Sequence, residues 1–138
     1  MALWVGLLLA LGIGLLATAG GWDRDRVFYP VVTVVVASYY AMFAVMGAST
    51  EALMLELLVG TVFLVAAVMG FRSSLWIVVL ALAGHGLFDF VHGRFISNPG
   101  MPDWWPQFCG AYDVAAAAYL AWLLKSGRIQ DRALRRLR

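Results

Sequence analysis

Five stretches of this chain are apolar almost without interruption, at about residues 2–20, 27–48, 51–71, 75–95 and 107–124. Each is close to the roughly 20 residues that a helix needs to cross the hydrocarbon core of a bilayer. No segment alternates apolar and polar residues in the manner of a barrel strand. The composition agrees: 63% hydrophobic residues against 13% charged, with a mean hydropathy of +0.84, excludes a soluble globule, in which about 25% of residues are charged.

The expected fold is therefore an all-α integral membrane protein: a compact bundle of five transmembrane helices over residues 1–124, followed by a basic tail at 125–138. Short connections imply that consecutive helices are antiparallel neighbours. Ala17-Thr18-Ala19 resembles a signal-peptide cleavage site, but Met1 to Leu11 carries no Lys or Arg, so the first segment reads as a spanning helix. Ser49 and Ser73-Ser74 are placed to cap the third and fourth helices.

Basic residues set the orientation. Lys125, Arg128, Arg132, Arg135, Arg136 and Arg138 mark the C-terminal tail as cytoplasmic, and five crossings then put the N-terminus outside. Arg24, Arg26 and Arg72 fall on the inner side with the tail, leaving Arg94 outside. The expected location is the cytoplasmic (inner) membrane of a bacterium. Anionic lipid is the partner expected for the tail, and lipid contact together with topogenesis accounts for the charge without nucleic acid.

Polar residues interrupt this apolar background at a few places. Gly84-His85-Gly86-Leu87-Phe88-Asp89-Phe90-Val91-His92-Gly93 carries three ionisable groups, and on a continuous helix His85, Asp89 and His92 at i, i+4 and i+7 share one face. Such groups at membrane depth are costly and mark a site by default. With about 1.5 Å of rise per residue, Glu56 on the third segment and Asp113 on the fifth reach the same layer. The layer reads as a cavity opening outward, with the Pro-rich loop from Ser97 to Pro106 as its cover.

Imidazoles beside carboxylates are the usual ligands of zinc or iron. His85, Asp89 and His92 are the expected metal ligands, and Asp113 and Glu56 the expected acid-base groups. Tyr39, Tyr112, Trp104 and Trp105 are the candidates for contacting a substrate. Tyr39 and Tyr40 cannot both face the site, because neighbours on a helix differ by about 100°. Asp89-x-x-His92 resembles the carboxylate-x-x-His element of di-iron bundles, where the element occurs twice. Here it occurs once. Cys109 reads as a packing residue more readily than as a nucleophile.

Three function classes fit these residues. The first is a metal-dependent membrane enzyme, such as a hydrolase, acting on a lipid or another membrane-dissolved substrate. The second is a transporter or channel for a metal ion or proton, built as a homo-oligomer or within a larger membrane complex. The third is a non-catalytic accessory subunit, including a noncovalent haem carrier with His85 or His92 as axial ligand.

Overall fold

The computed structural model describes residues 1–129, so the part of the basic tail at 130–138 lies outside the described residues. Among these residues there is no strand. The elements in order are α1 (Ala2–Gly20), α2 (Phe28–Met46), α3 (Thr50–Arg72), α4 (Leu75–Asp89), a 3-10 turn (His92–Arg94) and α5 (Trp105–Lys125). Three of them, α1, α2 and α3, are long and apolar enough to cross a membrane. Helix α4 has 15 residues, and α5 has 21 and carries most of its own side of the polar layer.

Local chemistry sets the helix ends. The Ser49 hydroxyl accepts from the Ala52 amide at 3.2 Å and the Ser74 hydroxyl from the Trp76 amide at 3.3 Å, satisfying amide donors that a helix start leaves open. At the far end of α3, the Arg26 guanidinium donates to the carbonyls of Gly70, Phe71 and Ser73 at 3.2–3.3 Å. A cation is favoured there by the helix dipole.

The packing order departs from a simple up-and-down sequence. Helix α1 lies along α5 rather than along its chain neighbour α2; α5 also lies along α4, and α3 lies along both α2 and α4. The reason is the face that α1 offers. Gly6, Ala10, Gly14 and Ala17 are its buried residues, a small-residue stripe that lets backbones approach closely in an apolar medium. A methyl group at Gly6 would run into the Phe108 carbonyl, and one at Gly14 would lie 2.9 Å from the Tyr119 ring. Thr18 extends the pairing with hydrogen bonds to buried Asp23 at 2.6 Å and to the Tyr119 hydroxyl at 3.1 Å.

Helix α4 also ends earlier than its hydropathy suggests, at Asp89 instead of about residue 95. Beyond it the amides of Val91, Arg94 and Phe95 bond three residues back, to Phe88, Val91 and His92, the tighter 3-10 pattern. The loop that follows is tied down. Gly100 sits against the Phe43 carbonyl and Gly47 at the end of α2, and buried Asn98 bonds the Tyr40 carbonyl at 3.0 Å and Glu56 at 2.9 Å. A chain that must return from α4 to these anchors cannot continue as a straight helix.

Candidate metal centre

The site is built where α4 and α5 cross. A methyl group at Gly86 would lie 2.8 Å from the Gly110 carbonyl, and one at Gly110 would lie 2.8 Å from the Gly86 carbonyl. Only residues without a side chain allow two helix backbones to meet this closely. Each glycine is flanked in the same way, in His85-Gly86-Leu87-Phe88-Asp89 and in Cys109-Gly110-Ala111-Tyr112-Asp113. Both segments read His/Cys-Gly-x-aromatic-Asp. On antiparallel helices touching at the glycines, the residues just before and three after each glycine converge from both sides.

The result is a group of four buried side chains, His85, Asp89, Cys109 and Asp113, each offering one ligand atom, with these atoms all within 4.8 Å of one another. His85 Nδ1 is 2.6 Å from Asp113 Oδ2 and 3.7 Å from Asp89 Oδ2, and the Cys109 thiol donates to Asp113 Oδ2 at 3.8 Å. The Tyr40 hydroxyl donates to Asp89 Oδ1 at 2.7 Å. Asp89 Oδ2 and Asp113 Oδ1 are buried without a hydrogen-bond donor. Buried polar atoms are nearly always satisfied, so two bare carboxylate oxygens beside an imidazole and a thiol suit a cation. Sulfur, nitrogen and oxygen together are a zinc-type donor set. The group could hold a metal ion.

His92 is not part of this group. It lies on the 3-10 turn, its Nε2 is 2.8 Å from Glu56 Oε1, and Asn98 donates to the same Glu56 oxygen at 2.9 Å. The face expected for His85, Asp89 and His92 is divided: because α4 ends at Asp89, His85 and Asp89 join Cys109 and Asp113 while His92 pairs with Glu56 beside Asn98, yet all three residues still border one small space. Tyr40 stands between them, its ring 5.7 Å from the His85 ring and 4.6 Å from the His92 ring. Asp113 and Glu56, expected as acid-base groups, are the two histidines' carboxylate partners.

Nor is the polar layer a wide outward-opening cavity. The space bordered by Tyr40, Glu56, His85, Asp89 and His92 amounts to about 10 Å³, room for about one water. A larger space lies on the other side of Cys109: a cleft of about 360 Å³ between α1, α2 and α5. Tyr39, Trp105 and Tyr112, three of the four candidate substrate contacts, line it together with Cys109. Trp104 is 53% exposed and is not in that lining. So Tyr40 faces the polar layer and Tyr39 the cleft, the division that helix geometry requires.

The sequence alone marks Cys109 as a packing residue, leaves open which of Tyr39 and Tyr40 faces the site, and gives no role to Asn98. For Cys109 a signal existed in the repeated His/Cys-Gly-x-aromatic-Asp segments. For Asn98 there was none, since a loop residue's reach depends on how the loop folds back. A scan against protein-family models, a search of curated proteins and a search of solved structures each return no match.

Proposed function

We propose that this chain is a small polytopic membrane protein whose four-residue group, His85, Asp89, Cys109 and Asp113, holds one divalent transition metal, with zinc favoured and iron the second choice. The observation that carries the reading is the α4–α5 crossing at Gly86 and Gly110, which gathers four donors while leaving two carboxylate oxygens bare. Charge supports it. Glu56, Asp89 and Asp113 are buried together with two histidines, and no Lys or Arg is buried among the described residues. A bound cation would let these carboxylates stay ionised where an uncompensated buried charge is costly.

The membrane reading rests on the apolar surface. Leu8, Leu15, Leu58, Val62, Leu80 and Leu87 are each at least 60% exposed, and monomeric soluble proteins rarely expose apolar surface on this scale. In the proposed topology all five helices span, with the N-terminus outside, in the cytoplasmic membrane of a bacterium. The Arg26 contacts to the end of α3 support it, because they bring Arg24 and Arg26 to the same end of the bundle as Arg72.

The activity proposed for this site is that of an enzyme, which requires one of the four donors to give way to substrate, because four protein ligands complete a tetrahedral zinc shell. A bound metal would supply Lewis acidity toward an ester or amide oxygen. The protein's own groups would do the rest. Tyr40 fixes Asp89 through its hydroxyl, and the hydrogen-bonded Glu56–His92 pair forms one border of the 10 Å³ space, which Asp89 also borders. Cobalt loading of the purified protein tests the metal assignment. A thiolate-to-cobalt absorption band should appear in the parent and vanish in Cys109→Ser. A parent with no such band, or a band that survives in Cys109→Ser, would remove Cys109 from the ligand set.

A further inference from the structure

The cleft between α1, α2 and α5 is long and almost wholly apolar. On α2 its lining residues Phe28, Val31, Val32, Val35, Val36 and Tyr39 form a single stripe of three turns, roughly 16 Å long at the α-helical rise. A long apolar slot that runs along a helix takes an extended hydrocarbon tail lengthwise. Its volume lies at the lower end of the roughly 300–1,000 Å³ of ligand sites.

One end of the cleft is chemically different from the rest. At its Tyr39 end it meets Trp105, whose indole N–H is buried without an acceptor, and Phe108, Cys109 and Tyr112 continue the α5 wall from there. Cys109 belongs both to this lining and to the four-residue group. A second apolar groove, between α2 and α3 with Val34, Val68 and Phe71 in its wall, has no polar lining residue and shares none with the group.

Resting on the metal-site reading above, we infer that the α1–α2–α5 cleft binds the acyl chain of a membrane lipid, with the chain lying along α2 and the lipid's oxygen-bearing head held at Trp105 beside Cys109. The substrate class of the centre is then an acyl lipid, entering from the bilayer through the gap between α1 and α2. The α2–α3 groove is only lipid-facing surface.

The test is photo-crosslinking in phosphatidylcholine vesicles that contain a fatty acid with a mid-chain diazirine, read by mass spectrometry for sites and by elemental analysis for metal. Labelling should concentrate on Phe108, Tyr112 and Tyr39 in the parent. It should fall several-fold there in Val32→Phe and in Ile13→Trp, which fill the cleft from α2 and from α1, while labels at Val34 and Val68 persist. Two variants from different helices guard against a local folding defect. Even labelling of lipid-facing residues such as Leu58 and Val62 without enrichment in the cleft, or enrichment that neither variant reduces, overturns the inference whatever the metal content. Cleft labelling that both variants abolish in a protein free of metal upholds the chain site and removes the metal reading instead.

Discussion

Gly110 is a small residue on which the whole candidate centre depends. A methyl group there would lie 2.8 Å from the Gly86 carbonyl and 3.0 Å from the Phe90 ring, so Gly110→Ala must push α4 and α5 apart. Overpacking of this kind typically costs about 1–3 kcal/mol, and the separated donors should release the metal. Gly60→Ala is the control: nothing lies within 4 Å of a methyl group at that helical position, and the substitution should be neutral or stabilising by roughly 0.5–1 kcal/mol. Thermal melting in detergent, with metal content measured alongside, compares the two. A lower Tm without loss of metal in Gly110→Ala would mean that the crossing does not set the ligand geometry. Tyr40→Phe probes the other border. It leaves Asp89 Oδ1 buried without its donor, a loss of about 1–3 kcal/mol, so Tm should drop while the metal stays.

Among the elements, α1 shows how far hydropathy can be read. Its existence and its limits follow directly from the apolar run, but its partner does not, since it packs on α5, which is less apolar than its chain neighbour α2. The choice of α5 lies in the spacing of Gly6, Ala10 and Gly14, and in the Phe108 and Tyr119 surfaces that fill it. Gly14→Leu should therefore lower Tm by several degrees, whereas Gly12→Leu, with open space at that position, should leave it unchanged; equal effects would argue against the stripe. Helix α4 shows the opposite limit. Hydropathy continues past Asp89 because Phe90, Val91 and Phe95 are apolar, while the end of the helix is dictated by tertiary anchors at Asn98 and Gly100. For that reason the shared layer of Glu56, His85, Asp89, His92 and Asp113 was legible from depth, but its division into a His85–Asp113 cluster and a His92–Glu56 cluster was not.

At the level of the whole molecule, the proposed topology predicts opposite sides for the two termini. Reporter fusions in bacteria check it: an alkaline phosphatase fused at residue 47 should be active, as it lies with the outer loops, and one fused after Lys125 should be inactive. The reverse pattern, or activity at both points, would overturn the five-span arrangement. The basic residues are what predicts this orientation from the sequence, because charge position along the chain needs no knowledge of packing. Which helices meet, and hence which four side chains converge, depends on glycine contacts that composition does not rank.

We place the metal site on α4 and α5, with His92 outside it. Elemental analysis of the protein purified in detergent without added metal, beside Asp113→Ala and His92→Ala, separates the two clusters. One transition-metal ion per chain is expected in the parent and in His92→Ala, and none in Asp113→Ala. A parent without metal after reconstitution, or an ion lost with His92 but retained without Asp113, would contradict it.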